Sequence, residues 1–337
     1  MTTLLGPVEI KEQLYQRGTR RVRPLCEAIV AKAGGYSRGV EEAVVDFGAE
    51  DSFALAAERL GRHHPVNLSA STVRKITLAH ASRMSEQEDK NACLGRLPGK
   101  GPAYIIAEAD GTMLPVVQTE GKHRNLRKNR KCHWKEMRLC AAKAAGKADA
   151  VYACENRSVE ELGYRWSHCA GAAGWATSSH VHVVSDGAAW IGKQARQCFG
   201  SNCSHLLDLY HVSEYLAAAQ RANPSWKEPS NWLEKQKNRL LAGKAHEIIE
   251  ELMPHLESSH ADDADAPIRA AWRYLSNHIE QLNYPEAIKH ALPLGSGLIE
   301  GGHRHVLQKR LKISGSWWNQ ENLQFMAQLR IRRANNG

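Results

Sequence analysis

Cysteine is scarce. Eight occur among 337 residues, and none forms a Cys-x-x-Cys pair. That is too few for a disulfide scaffold, so free thiols in a reducing cytoplasm are expected. Long apolar runs are missing as well. No stretch of about 18 apolar residues exists, so no membrane span is expected. The first ten residues carry no basic segment followed by an apolar one, which argues against a secretory leader. The chain has no internal repeat, no low-complexity tract and no His-x-x-x-His pair of the zinc-hydrolase kind. Cys198-x₄-Cys203-x-His205 fits no common structural zinc spacing. Acids are outnumbered, 36 against 45 Lys and Arg, giving a formal charge of +9. A basic balance points to a polyanionic partner, most often nucleic acid, and does not suit a carboxylate-pair glycosidase. The hydrophobic fraction, 42%, is enough for a core, which excludes a wholly disordered chain. The length suggests about two folding units.

The basic residues are clustered. Lys122, Arg124, Arg127, Lys128, Arg130, Lys131, Lys135 and Arg138 share one segment with a single acid, Glu136. A second set comprises Arg304, Lys309, Arg310, Lys312, Arg330, Arg332 and Arg333. Each set alone also reads as a solvated face. Residues 9–84 read as helices: Pro24 to Lys32, Arg38 to Phe47, Ser52 to Arg62, and a segment capped by Ser69 or Ser71. Helix, turn and capped helix is the layout of a helix-turn-helix, whose second helix offers Ser71, Thr72, Arg74 and Lys75 to DNA. An ordinary helical hairpin has the same pattern, and the turn at residues 61–68 is longer than the compact form.

Polar, Gly- and Pro-containing residues 85–102 read as a linker. Beyond it the period changes. Strands are expected at Ala103 to Ala109, Met113 to Gln118, Glu136 to Ala144, Ala150 to Ala153, His180 to Val184 and His205 to Tyr210. Helices are expected at Ser158 to Ala173 and Trp190 to Cys198. From His211 to His290 only helices are expected, among them Leu216 to Arg221, Trp232 to Leu241, Glu247 to Leu256 and Ile268 to Leu282. Strands followed by alternation favour an α/β sheet.

Three acids stand out. Asp110 and Asp186 each end an apolar strand and precede a glycine, and ligand sites in open α/β sheets form beyond the carboxyl ends of strands. Glu300 follows Gly295-Ser-Gly-Leu-Ile at a helix start. Carboxylates from three separate elements suit Mg²⁺, and two such ions can serve both oxygens of a phosphodiester displacement. Asp-Gly is also a common turn pair, and Glu300 can simply favour a helix dipole. Glu108 and Asp208 are rival ligands. His303 and His305 read as solvated histidines at a helix start.

Five motifs in order carry a resemblance: Glu108-Ala-Asp110-Gly-Thr, Val184-Ser-Asp186-Gly-Ala-Ala-Trp190-Ile, Leu207-Asp208-Leu-Tyr-His211, Gly295-Ser-Gly-Leu-Ile-Glu300, and Gln308-Lys-Arg310-Leu-Lys312 with Trp317-Trp318. Over roughly residues 103–333 the chain resembles bacterial insertion-sequence transposases of the ISKra type, akin to mutator-like transposases. The resemblance implies an α/β, RNase H-like mixed sheet with a catalytic Asp-Asp-Glu triad of Asp110, Asp186 and Glu300 holding Mg²⁺ or Mn²⁺. Asp208 and His211 would brace the site.

The implied organisation is an all-α helix-turn-helix region at 1–84, a linker at 85–102, a catalytic core at 103–215 and 291–337, and a helical insertion at 216–290. The implied activity is DNA cleavage and strand transfer at element ends, in the bacterial cytoplasm at the nucleoid, by a dimer or higher assembly on double-stranded DNA. Arg74, Lys75, Lys122, Arg124, Arg127, Lys128, Arg130, Lys131, Arg310 and Lys312 would contact DNA. Trp190, Trp317 and Trp318 would stack on an unpaired base, or are core aromatics. The alternatives are a DNA-binding protein derived from a transposase, without cleavage, and a nuclease without strand transfer.

Overall fold

The computed structural model describes residues 1–9, 11–24, 35–91, 95–119, 129–226 and 231–336. The helix expected from Pro24 to Lys32 falls almost wholly outside them. Two short antiparallel hairpins open the chain: β1 (Thr2–Thr3) with β2 (Gly6–Pro7), and β3 (Tyr15–Arg17) with β4 (Arg20–Val22). These correct the expectation of helix from residue 9. Gly18, at φ +61°, opens a two-residue turn that sets Arg17 opposite Arg20, the geometry of a tight hairpin.

Helices α1 (Arg38–Glu50), α2 (Phe53–His63) and α3 (Ala70–Asn91) follow. Each is capped by a serine: Ser37 accepts from the Val40 amide, Ser52 from Leu55 and Ser69 from Thr72. Such caps satisfy amides that the first turn leaves unpaired. Helix α3 runs on through the first part of the expected linker. Glu, Gln and Lys are good helix formers, so polarity there did not mean a break.

The remaining elements, in order, are β5 (Tyr104–Thr119), β6 (Arg130–Ala144), β7 (Val151–Glu155), α4 (Val159–Ala172), β8 (His180–Ser185), α5 (Ala189–Phe199) and β9 (Cys203–Leu207). After them come α6 (Leu209–Ala222), α7 (Trp232–Leu241), α8 (Ala245–Leu252), α9 (Pro267–Asn277), α10 (Tyr284–Lys289), α11 (Gly297–Gly302), α12 (Lys309–Leu311) and α13 (Gln320–Asn336). The expected strand to Tyr210 stops at Leu207, because Asp208 caps α6 through the amides of Tyr210 and His211.

The chain divides into two compact units. One comprises Met1–Ala92, Met113–Lys135 and Arg304–Gly337. Its core is formed by Val40, Val44, Leu60, Val66, Val73 and Ile76, and α13 packs on α1 and α3. Helices α1 and α3 approach closely at Gly48, where a Cβ would collide with the Thr77 hydroxyl.

The other unit comprises Cys93–Thr112 and Glu136–His303. It is built on a mixed five-stranded sheet in the order β7-β6-β5-β8-β9. Strands β5, β8 and β9 are parallel, and β6 pairs antiparallel with β7. Alternate residues of a strand face opposite sides. Ile105, Ala107 and Ala109 pack with Val181 and Val183 against Leu162 and Trp166 of α4 and Ile191 of α5. Ile106 and Leu206 join the core of helices α6 to α10, with Leu216, Ile248, Leu275 and Tyr284. The sheet therefore lies between two helical layers, a mixed α/β arrangement. Among the described residues no helix is long and apolar enough to cross a membrane.

Candidate active site

The register of the parallel strands sets the acids in a row. Glu108 is paired with Val184, and Ser185 with Leu207. Two steps past the first pair lie Asp110 and Asp186, and one step past the second lie Asp186 and Asp208. All three occupy matching levels at the carboxyl ends of β8, β9 and the paired stretch of β5, where neighbouring strands run about 4.8 Å apart.

The open carboxylates are Asp110, Asp186 and Glu300. The Asp110 side chain is 41% exposed, and its Oδ2 lies 3.3 Å from His303 Nε2. Asp186 Oδ1 accepts from the Ala188 amide at 2.9 Å, which closes the turn after β8. Gly187 there has φ +86°, and a Cβ on it would meet the Leu207 side chain at 2.7 Å, so glycine is required. Glu300 is exposed on α11.

Two further acids are buried and hold the turn that carries Glu300. Asp208 is fully buried. Its Oδ1 accepts from the amides of Tyr210 at 2.6 Å and His211 at 3.3 Å. Its Oδ2 accepts from the Ser296 amide at 2.7 Å and the Ser296 hydroxyl at 2.5 Å. Glu108 is 1% exposed, and its Oε2 accepts from the Ile299 amide at 2.8 Å. Burial pushes its carboxyl up to about 8, reinforced by the charge of Asp208, while the amides of Ile299 and Leu298 and the more distant Lys143 act the other way. Glu108 is thus protonated at neutral pH.

The helical layer also reaches the strand ends. The Tyr274 hydroxyl donates to the Asp186 carbonyl at 2.6 Å, and the Tyr284 hydroxyl to the Leu207 carbonyl at 3.2 Å. His278 Nε2 sits 3.1 Å from the Gly187 carbonyl. These contacts satisfy carbonyls that the sheet leaves unpaired.

Among the described residues, Asp208, His211 and Glu300 have ligand atoms all within 4.8 Å of one another. Asp110 and Asp186 do not belong to that group. Both Asp208 oxygens are already occupied by four donors, which leaves His211 and Glu300 as its open members. His211 Nδ1 lies 3.6 Å from Glu214. Carboxylate oxygens are the donor type a hard divalent cation such as Mg²⁺ takes, and Glu300 is the member of the expected triad that belongs to this group.

The other sequence candidates are dispersed. Lys122, Arg124, Arg127 and Lys128 lie outside the described residues. Arg130 and Lys131 are exposed at the start of β6, and Arg74 and Lys75 are exposed on the first turns of α3. Lys312 is exposed, with its ammonium 5.7 Å from the Trp134 ring. Arg310 is not a surface residue: it is 1% exposed, and its Nε donates to the Gly48 carbonyl at 3.0 Å. Trp318 is buried, with Nε1 donating to the Leu311 carbonyl at 3.1 Å. Trp317 is 43% exposed. Trp190 is half-buried, with the Arg138 guanidinium 5.9 Å from its ring. Part of the second basic set is spent internally: Lys309 and Arg330 pair with Glu50, and Arg333 with Asp46.

The reading of His303 as solvated is corrected, since it is 5% exposed and beside Asp110. It opens a π-helical stretch, His303–Gln308, a distortion frequent at functional sites. Nothing in the local sequence marks that contact, which joins residues far apart in the chain. The clamp by Glu108 did leave a signal: a lone acid inside an apolar strand.

Residues 170–337 match an uncharacterised protein family (UPF0236). The match takes in Asp186, Asp208, His211 and Glu300, and leaves Asp110 outside. No curated protein matches the chain.

Proposed function

We propose that the chain is a bacterial insertion-sequence transposase of the Asp-Asp-Glu kind, with an RNase H-like core, that cleaves DNA at element ends and transfers the strand to a target. The observation that carries this reading is the level pair Asp110 and Asp186 on adjacent parallel strands, with Glu300 held at the same strand ends by two buried acids. The resemblance of five motifs in order supports it, and so does the basic charge. Bound Mg²⁺ or Mn²⁺ would supply Lewis-acid activation of the attacking oxygen and charge neutralisation at the leaving one.

The chain's own part is positional. Asp110, Asp186 and Glu300 offer the ligand oxygens. Glu108 and Asp208 fix the turn that bears Glu300, and Tyr274 and His278 fix the turn that bears Asp186. Helices α6 to α10 serve as the insertion of this enzyme class. Helices α2 and α3 act as a helix-turn-helix, with Arg74 and Lys75 toward DNA. Arg130 and Lys131 track phosphates, contacts that give salt-dependent affinity with little sequence information. Cutting two ends in concert calls for a dimer or higher assembly on DNA, at the bacterial nucleoid.

The test is Mg²⁺- or Mn²⁺-dependent cleavage and joining of DNA carrying the flanking ends of the source element, with Asp110→Asn, Asp186→Asn and Glu300→Gln as controls. The expected result is cleavage and joining by the wild type and DNA binding without cleavage by each variant. Cleavage without joining indicates a nuclease. Binding with no cleavage in either metal replaces the reading with a DNA-binding protein derived from a transposase.

A further inference from the structure

The unit that contains α1 to α3 and α13 holds a hollow of about 750 Å³. Among the described residues three arginines line it, Arg74, Arg130 and Arg310, and no acid does. Its wall includes the start of α2, Ser52 to Ala54, and the start of α13 at Asn319 and Asn322. Ser52 caps α2 by accepting from the Leu55 amide. The amides of Phe53 and Ala54 belong to the first turn, whose N–H groups have no partner within the helix. Helix starts of this kind attract anions.

The second observation is Arg310. Its guanidinium lies 4.7 Å from the Phe53 ring and 4.9 Å from the Trp318 ring. Nε is committed to the Gly48 carbonyl, but Nη2 is buried without a hydrogen-bond partner among the described residues. An unpaired nitrogen on a buried cation is costly. Burial lowers its pKa to about 10, and the neighbouring Arg330 adds to that. The nearest acids are engaged elsewhere, Asp51 with Arg59 and Glu50 with Arg330 and Lys309. A bound anion at this place would complete the charge balance.

The third observation is an aromatic ledge. Trp317 lines the hollow and is 43% exposed. Trp134 is 53% exposed, with its ring 6.1 Å from that of Trp317. Two exposed tryptophans beside a cationic hollow are what an unpaired base stacks on, next to its own phosphate.

We propose that this hollow binds one phosphodiester of an unpaired DNA strand, the phosphate against Arg74, Arg130 and the α2 amides, and the neighbouring base on Trp317. The choice of DNA as the source of the phosphate rests on the proposed function; the site itself is separable from cleavage.

The experiment is a fluorescence-anisotropy titration of the full chain with a labelled ten-nucleotide thymidine strand and with a duplex of equal length. It is done in EDTA, where the cleavage reading makes no prediction. Inorganic phosphate is the competitor that represents a free anion. The expected result is tighter binding of the single strand than of the duplex. Trp317→Ala weakens the single strand on the order of tenfold, the loss of one stacked base, and leaves the duplex unchanged. The pair Arg74→Ala with Arg130→Ala weakens it further and lowers the dependence on log salt by about 1.4, two contacts at about 0.7 each. Circular dichroism of each variant confirms the fold, and these three side chains lie at the surface or half-exposed.

Unchanged single-strand affinity in both folded variants overturns the proposal. So does equal weakening of duplex and single strand by Trp317→Ala, and so does the absence of single-strand binding. A failure of cleavage in Mg²⁺ leaves this binding result standing, and a failure here leaves the metal site standing.

Discussion

Replacing Glu108 by glutamine tests whether the acid beside Asp110 is a protonated clamp. Its carboxyl is held at about 8 against an ordinary 4.5. The folded state therefore keeps a proton that the unfolded chain releases. A raised carboxyl contributes stability that is fully present below the unfolded value and is lost as pH rises toward the folded one. Between pH 5 and pH 8 the loss amounts to about 3 kcal/mol. Glutamine has the shape of the protonated acid and keeps an oxygen for the Ile299 amide, so it removes the pH-dependent loss and little else.

Urea unfolding of wild type and Glu108→Gln at pH 5, 6, 7 and 8, followed by tryptophan fluorescence, reads the difference. The curves should nearly coincide at pH 5 and separate in favour of the variant by pH 8. Glu108→Ala serves as the counterpart, because it orphans the Ile299 amide and should cost about 1–3 kcal/mol already at pH 5. In the cleavage assay Glu108→Gln should stay active where Asp110→Asn is inactive. Parallel wild-type and glutamine curves across the range refute the reasoning, and an inactive but stable Glu108→Gln makes Glu108 a ligand instead of a clamp.

Three more perturbations reach other parts of the site. Asp208→Asn puts an amide donor where both oxygens accept from Tyr210, His211 and Ser296; it should cost about 2–3 kcal/mol in thermal unfolding and abolish cleavage, and an unchanged melting curve would count against the clamp. Gly187→Ala forces a side chain onto φ +86° and into the Leu207 methyl, so a loss of about 1–3 kcal/mol is expected; full stability with full activity would show that the turn tolerates a Cβ. His205 is held neutral, down to about 4, by burial first and then by Arg196, His278 and His182. A lowered histidine is protonated in the unfolded chain first, so its contribution is present above about 6.5 and is lost as pH falls toward 4. His205→Gln should flatten about 2 kcal/mol of the wild-type loss between pH 7 and pH 4.5, and an identical acid limb in both proteins would contradict this.

Where local rules decide the conformation, the amino-acid order is legible. Ser52 followed by Phe53, Ala56 and Leu60 specifies a capped amphipathic helix, and α2 forms there. Ser158 and the stripe of Leu162, Trp166 and Cys169 do the same for α4. Helix α7 begins at Trp232 and ends at Leu241, as its pattern predicts. The buried run His180 to Val184 is a central strand because both of its faces are covered.

What escaped has specific causes. Tyr15 to Val22 is too polar to look like a strand pair, yet Gly18 supplies the turn. Residues 85–91 are polar enough to resemble a linker, yet Glu, Gln and Lys favour helix and α3 continues through them. Asp208 follows the apolar pair Leu206-Leu207 and so resembles the end of a strand, although an aspartate before an apolar periodic run is a helix cap. His303 against Asp110, and Glu108 against Ile299, are contacts across about 190 residues of chain. No local period encodes them.

Glu108 and Asp110 bring the two kinds of acid together on one strand face. They are two residues apart and share a chemistry, but Glu108 is 1% exposed and the Asp110 side chain is 41% exposed. Burial alone separates their tasks. An acid removed from water either takes a proton or collects donors; Glu108 does the first and Asp208 the second, and both spend their oxygens on the turn that presents Glu300. Asp110, Asp186 and Glu300 keep water-accessible oxygens at the strand ends. A set of five acids in one unit thus divides into two that build the site and three more open ones, which are those proposed to take a cation. The variants therefore separate as a group: neutral isosteres at the buried acids change stability, and at Glu108 its pH dependence, whereas neutral isosteres at the open ones should leave the fold intact and remove cleavage. Loss of fold at Asp110→Asn or Glu300→Gln would place those acids among the structural ones and take away the basis for a metal site there.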